Sequence, residues 1–475
     1  MNPLVLPEEE YQQVYERITK LALEYLAGLD QLPCVPHLSG IEAMNLFTGP
    51  LPEQGLGAAA LDDLVKVIDG SRAQGPRFFG YVLGSGEPVA AGADLLASVL
   101  NQNVTAWRSG PAAVSLELLV VRWLAQAIGC AGFSGSLTGG GSSANLMGLA
   151  MARESRLPSN ERGIRQVGTV YASEQVHMSI PKAVAMLGIG RDHFRLIPCD
   201  DDLRIHIDML RQSIDADVRA GMTPIAIVGS AGTVATGGID PLDELADVAK
   251  TTGAWFHVDG AYGALAAIAM PELFAGMDSA DSISLDPHKW LYQPLDCGCL
   301  LYRDSSHARR AFSFTGDYAK SLQENPFEDF AFFDESLELS RRFRALKVWL
   351  SLRYHGLNNF RKQIQNDLEC AKRLAWLTAE NAELELLAPV SLSAVCFRFV
   401  PSSCSRNDVQ LDELNLRILQ SVQRRGRVYL SNATIRGKFA LRACIVNHRT
   451  TAADVEEVIV EVLGAGKELS SRAQS

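Results

Sequence analysis

The chain has 475 residues with a formal net charge of −11, and 47% of its residues are apolar and 21% charged. That length exceeds one typical core and implies two or three regions, in a composition that is globular rather than fibrous or disordered. The negative charge argues against nonspecific binding to nucleic acid or an anionic membrane, and without a run of about 18 apolar residues no membrane span is expected.

The first ten residues are acidic and carry neither a basic nor an apolar signal segment, so the cytoplasm is the expected location. Nine scattered cysteines, an odd number, read as reduced thiols. Cys297 and Cys299 sit too close together for a common zinc pair, so no metal site is expected.

Residues 8–29 place Val14, Ile18, Leu21, Ala22, Tyr25 and Leu26 at helical spacing, and Pro33 and Pro36 end that helix. A second helix is expected at 61–68. This arm, residues 1–89, has little core of its own and should pack on a partner subunit or on the main domain.

Between residues 90 and 355, short apolar runs alternate with helical stretches. Strands are expected at 168–171, 225–230, 255–258, 282–285 and 298–302, with helices at 111–127, 143–153, 181–187, 241–251 and 343–354. That alternation predicts an α/β domain with a mostly parallel sheet covered on both faces. Residues 356–475 read as a smaller α+β domain. It has helices at 360–379, 411–424 and 453–463, strands at 394–399, 427–431 and 438–444, and a frayed tail after Gly464.

Five segments carry chemistry. Ser284-Leu285-Asp286-Pro287-His288-Lys289-Trp290 puts a lysine just past a strand, where α/β proteins bind ligands. Trp255-Phe256-His257-Val258-Asp259-Gly260-Ala261 delivers a carboxylate at the end of an apolar run, and such a group needs a cation beside it. Thr138-Gly139-Gly140-Gly141-Ser142-Ser143-Ala144-Asn145 opens a helix with glycines and hydroxyls, a good cradle for phosphate. His177 follows the 168–171 strand and could lie on a flat ring. Thr233 follows the 225–230 strand and could donate to a ring substituent or a carboxylate, while Asp240-Pro241 reads as a helix cap. Each segment alone admits a plainer reading: a solvated lysine, a turn aspartate, an N-capped turn, a structural histidine. Their joint order is far more specific.

In that order, and over almost the whole chain, the sequence resembles the group II pyridoxal-dependent decarboxylases of fold type I. These include aromatic-L-amino-acid, glutamate, cysteine-sulfinate and 2,4-diaminobutyrate decarboxylases. The segments Phe78-Phe79-Gly80-Tyr81, Arg341-Arg342-Phe343-Arg344 and Leu441-Arg442-Ala443-Cys444 share in the likeness. The resemblance implies a PLP-dependent transferase-like fold, pyridoxal 5'-phosphate (PLP) as cofactor, and decarboxylation of an L-amino acid. Lys289 resembles the Schiff-base lysine and His288 a phosphate-side ligand. Asp259 resembles the partner of the pyridinium nitrogen, with Ala261 under the ring. His177 resembles the stacking histidine that also handles protons. Gly141, Ser142 and Ser143 fall at the phosphate and Thr233 on the cofactor and substrate side. The family's homodimer, with active sites at the interface, suits the arm.

Phe79, Tyr81, Val82, Trp107 and Phe332 fall in regions that line the family's substrate pocket, or are plain core residues. An apolar, aromatic lining favours an aromatic substrate. No cluster of arginines awaits an acidic side chain, although Arg77 and Arg108 lie nearby. One departure stands out. The family carries a loop tyrosine before the Arg341-Arg342-Phe343-Arg344 segment that serves the final protonation, and residues 321–340 contain none. Spacing puts Phe332 there, or Glu335 with one gap; Tyr318 lies upstream. In the family a phenylalanine at this position favours aldehyde, ammonia and peroxide over amine. Decarboxylation to the amine, with His177 or Glu335 giving the proton, is the first expectation, and the aldehyde route is the alternative.

Overall fold

Seven strands, most of them buried along their whole length, build the larger sheet: β1 (Ser134–Thr138), β2 (Gly168–Ser173), β3 (Phe194–Ile197), β4 (Thr223–Ser230), β5 (Trp255–Asp259), β6 (Ser282–Leu285) and β7 (Gly298–Tyr302). The computed structural model describes residues 4–36, 38–314, 328–402 and 407–471. The strand order is β1-β7-β6-β5-β4-β2-β3, and only β7 runs against its neighbours. Helices between the parallel strands cover the sheet, as burial on both faces requires. One of them, Gly141–Arg156, has nine buried residues and crosses β4 to β7.

The second sheet is antiparallel, in the order β10-β11-β9-β8: β8 is Leu384–Leu386, β9 Ala394–Phe399, β10 Ser431–Ile435 and β11 Lys438–Cys444. Helices Leu357–Ala379, Asp408–Arg425 and Ala452–Ser471 pack on it around Phe397, Phe399, Ile418, Leu441 and Val458.

The α/β reading holds, and several element boundaries change. The strand expected at 427–431 lies instead at 431–435. Arg436 and Gly437 have φ of 49° and 78°, a two-residue turn of the I′ kind, and pair Ile435 with Lys438. That turn sets the register, which the polar Ser431–Thr434 stretch did not advertise. Strands β1, β3 and β8 and helices Pro88–Leu100, Ile207–Arg219 and Ser305–Phe312 were not anticipated. β1 is Ser-Gly-Ser-Leu-Thr, with no apolar run, and is buried because it pairs with β7. The segment after Gly464 does not fray within the described residues. The helix runs on to Ser471, and Gly466 lies so close to Phe399 that a Cβ there would come within 2.8 Å of its ring. Asp240 caps no helix. Its carboxylate, 3% exposed, accepts from the Ile205 and Ser230 N–H groups at 2.8 Å and ties down the 231–240 turn; burial pushes its pKa up to about 6.

The arm helix, Glu8–Gly28, buries only Leu21. Leu4, Ile41, Met44, Phe47, Leu51 and Leu56 are exposed.

A buried clasp joins the segment before residue 345 to the large domain. Arg341 pairs with Glu117, both side chains fully buried, and donates to the Val104 and Leu137 carbonyls at 2.8 Å. Glu117 in turn accepts the Leu137 N–H at 2.9 Å. Arg341→Ala should lower the unfolding free energy by about 3–5 kcal/mol, because it strands a buried carboxylate. Chemical denaturation of R341A beside the apolar double variant R341M/E117L checks this, and the double variant should lose less.

Candidate active site

The C-terminal ends of β2, β4, β5 and β6 and the turn after β1 open on one crevice, the usual ligand position in such sheets. The cavity is about 280 Å³, and all nine residues expected at the cofactor line it: Gly141, Ser142, Ser143, His177, Thr233, Asp259, Ala261, His288 and Lys289.

Each arrives by a simple local route. Gly140 has a φ of 143°, a region that L side chains rarely adopt, and starts the 141–156 helix without any side-chain cap. The Gly141 and Ser142 N–H groups are therefore left for an anion, while those of Ser143 and Ala144 bond the Gly140 carbonyl. A Cβ on Gly141 would come within 2.6 Å of the Ala261 Cβ and 3.1 Å of Asp286 Oδ2, so the cradle abuts both.

Asp259 ends β5. Three donors face its carboxylate: Asn145 Nδ2 at 3.0 Å, the Ser284 hydroxyl at 3.1 Å and the Ala261 N–H at 3.3 Å. Thr233 is buried in the 231–238 turn, where its Oγ1 accepts from the Gly238 N–H at 3.1 Å. His177 takes its second-turn neighbour Ser179 as partner, with Nδ1 2.7 Å from the Ser179 hydroxyl, and burial holds its pKa below the ordinary value. His288 Nδ1 lies 2.6 Å from the Cys297 carbonyl, an acceptor only, so that nitrogen carries a proton. Burial likewise lowers the His288 pKa.

Lys289 stands in the short Pro287–Trp290 helix after β6, its Nζ 3.1 Å from Asp286 Oδ2. Asp286 went unremarked as a site residue in the sequence reading. It is 3% exposed, lines the cavity, and leaves Oδ1 buried without a partner. The signal was present: Asp286 directly follows the apolar end of β6, much as Asp259 follows Val258 at the end of β5.

The five expected substrate residues are not gathered at this cavity. Phe79 is fully buried in the core of the smaller domain. Phe332 is also fully buried, with the Arg341 guanidinium 4.2 Å above its ring and Phe330 edge-on at 4.9 Å. Tyr81 is half exposed and bonded to Tyr429 and Arg72. Val82 packs on the large core, and Trp107 lines a separate hollow. Glu335, the other expected proton source, is held by Tyr302 at 2.6 Å and Arg309 at 2.9 Å. Arg77 and Arg108 pair with Asp454 and Asp329. Tyr318 and residues 321–327 lie outside the described residues. Among the described residues, no group of three or more His, Cys, Asp and Glu is placed to hold a metal ion.

An uncapped helix start, a lysine and a buried carboxylate around one crevice of such a sheet suit the phosphate, aldehyde and ring nitrogen of a pyridoxal cofactor. Comparison with known proteins agrees. Residues 61–400 match the pyridoxal-dependent decarboxylase conserved domain. The chain is 32% identical over 473 residues to the aromatic-L-amino-acid decarboxylase of Bacillus atrophaeus, covering 98% of each. It is 30% identical to the phenylacetaldehyde synthase of a Rosa hybrid cultivar, over 93% of this chain and 90% of that one. The solved structure of Catharanthus roseus tryptophan decarboxylase in complex with L-tryptophan superposes with a TM-score of 0.89 at 28% identity, covering 99% of this chain and all of the other. The chain belongs to the pyridoxal-dependent decarboxylase family; it is an amino-acid decarboxylase with PLP as its cofactor.

His257 gives a pH test of the site. It is fully buried, and burial lowers its pKa from 6.5 to about 4. The unfolded chain therefore takes up this proton first. Stability from His257 is full above pH 6.5 and falls as the pH drops from 6.5 towards about 4. Unfolding free energies measured across that window should decline less steeply in His257→Gln.

Proposed function

We propose that this enzyme removes the α-carboxylate of an aromatic L-amino acid and releases the amine. The convergence of Lys289, Asp259, His177 and the Gly141–Ser143 cradle on one cavity carries the catalytic reading. Bound PLP supplies an electron-withdrawing ring that takes up the electron pair of the breaking Cα–carboxylate bond.

The chain's own residues do the rest. The first turn of the 141–156 helix, with Ser142 and Ser143, holds the phosphate, and His288 closes that side. Asp259 holds the proton of the ring nitrogen. Ala261 and His177 confine the ring, and Thr233 orients its substituents. Lys289 would hold the cofactor covalently until a substrate amine takes its place, and Asp286, 3.1 Å from its Nζ, would steady the freed amine. His177 has Nδ1 committed to Ser179, which leaves Nε2 to return a proton to Cα.

The aromatic preference draws on the relatives, which act on aromatic amino acids. It also draws on the lining, which contains no arginine among the described residues to meet an acidic side chain. The arm's exposed apolar residues support a homodimer, since a surface of that kind marks an interface. Among the described residues no helix is long and apolar enough to cross a membrane. Among the described residues, eight free cysteines, seven of them buried, suit a reducing cytoplasm.

A second reading has its own support. Residues 321–340 lack a tyrosine, and an aldehyde synthase is about as similar to the chain as the decarboxylases are. In that case dioxygen takes two electrons from the decarboxylated substrate and, with one water, the products are an aldehyde, ammonia and hydrogen peroxide.

Lys289→Ala should abolish both the visible absorbance of the lysine-bound cofactor and turnover; retained turnover would sink the assignment. Mass spectrometry of products from L-tryptophan, L-tyrosine and L-phenylalanine in air should show the amine. Aldehyde with stoichiometric peroxide would select the second reading. Sedimentation equilibrium should give twice the chain mass of 51.6 kDa.

A further inference from the structure

Trp255, His257 and Asp259 alternate along β5, so their side chains leave the same face of the sheet. Ser282 and Ser284 of β6 stand beside His257 and Asp259 in register. The 141–156 helix lies over this face and inserts Asn145, 1% exposed. Gly148 permits the approach, since a Cβ there would fall 2.7 Å from the His257 ring.

Asn145 uses its whole amide. Nδ2 lies 3.0 Å from Asp259 Oδ2 and 3.0 Å from Ser179 Oγ, and Oδ1 lies 2.9 Å from His257 Nε2. The directions are forced. A carboxylate oxygen accepts, so the Asn145 group facing Asp259 is the NH2. Its oxygen then faces His257, and Nε2 of that ring carries a proton. His257 Nδ1 is left to accept the Ser282 hydroxyl proton at 2.8 Å, and Ser282 accepts the Trp255 indole N–H at 2.8 Å. On the other branch, Ser179 accepts from Asn145 and passes its own hydrogen to His177 Nδ1. The Ser179 backbone N–H points at the same nitrogen at 3.3 Å. The proton of His177 is therefore on Nε2.

We infer that Asn145 is a positioning residue that couples the two halves of the site, holding a donor on Asp259 while fixing the Nε2–H tautomer of His177. It acts through those two residues, and so rests on the roles proposed for them above. The reach of the network is long. It begins at Trp255, at the opposite end of β5 from Asp259, and one orientation of one amide sets every proton along it.

Histidine-selective ¹⁵N NMR of the holoenzyme tests the polarity without any substitution. His177 and His257, assigned by loss of signal in His177→Gln and His257→Gln, should both show a protonated Nε2 and a bare Nδ1. A protonated Nδ1 on either ring overturns the inference. Asn145→Asp is isosteric and turns both donors into acceptors. The dissociation constant for PLP, from absorbance titration of the full-length apoprotein, should rise about ten- to a hundredfold, as for a lost hydrogen bond to a charged group. The His177 nitrogen signals should move with it. Unchanged cofactor affinity together with an unchanged His177 tautomer would overturn the role. If Asn145→Asp does not fold, the wild-type tautomers still decide the matter. Lys289→Ala loses the visible absorbance whatever Asn145 does, so failure of the functional reading is recognised separately.

Discussion

Asp259 carries a carboxylate on a strand whose residues are all buried, inside a sheet covered on both faces. A group of that kind is tolerated only where its neighbours donate to it. Here the donors come from three places: the adjacent strand (Ser284), the turn that follows (Ala261) and the covering helix (Asn145). The requirement shapes its surroundings. β6 alternates serine with isoleucine and leucine so that its hydroxyls fall on the polar face. The helix carries glycine at 148 so that Asn145 can come down onto that face. The same helix begins at the cradle, so its placement over Asp259 also sets the distance between the cradle and that carboxylate.

A second set of buried contacts keeps the rim of the cavity in place. Asp240 pins the turn that carries Thr233. The Arg341–Glu117 pair holds the 328–344 segment against the helix at 111–127 and against β1, the strand that leads into the cradle. Arg342 and Arg344 meet on Asp296, and Lys347 reaches Asp94 and the Pro294 carbonyl. The Arg-Arg-Phe-Arg segment is thus architectural. Its charges are spent on holding the stretch between β6 and β7, on which Lys289 sits, to the rest of the domain.

Cofactor chemistry and substrate choice are placed differently in this fold. The residues proposed to hold the cofactor line one cavity at the C-terminal edge of the larger sheet. The aromatic residues expected near a substrate lie in the smaller domain, in the core and at a separate hollow, while the arm exposes a broad apolar surface. The homodimer proposed above would cover that apolar surface.

The gathering of all nine expected residues at one cavity was legible in the sequence because each follows directly from a local cause. A buried apolar run ends and delivers its next polar residue to the crevice, or a glycine run opens a helix. Continuous burial along β5, β6 and β7 was legible for the same reason. Whether Phe79 and Phe332 line a pocket or fill a core was not legible, because the two look alike in sequence and only packing tells them apart. β1 was missed because its small polar side chains are buried by a strand distant in sequence, and β10 was displaced because its polar run carries no register of its own. Asn145 was visible as part of a helix start, yet its partners lie 34, 112 and 114 residues away. Sequence determined the chemistry and the order of its parts, since these depend on what lies next along the chain. Tertiary structure alone decided which proton sits on which nitrogen, because that depends on which donors and acceptors the fold brings face to face.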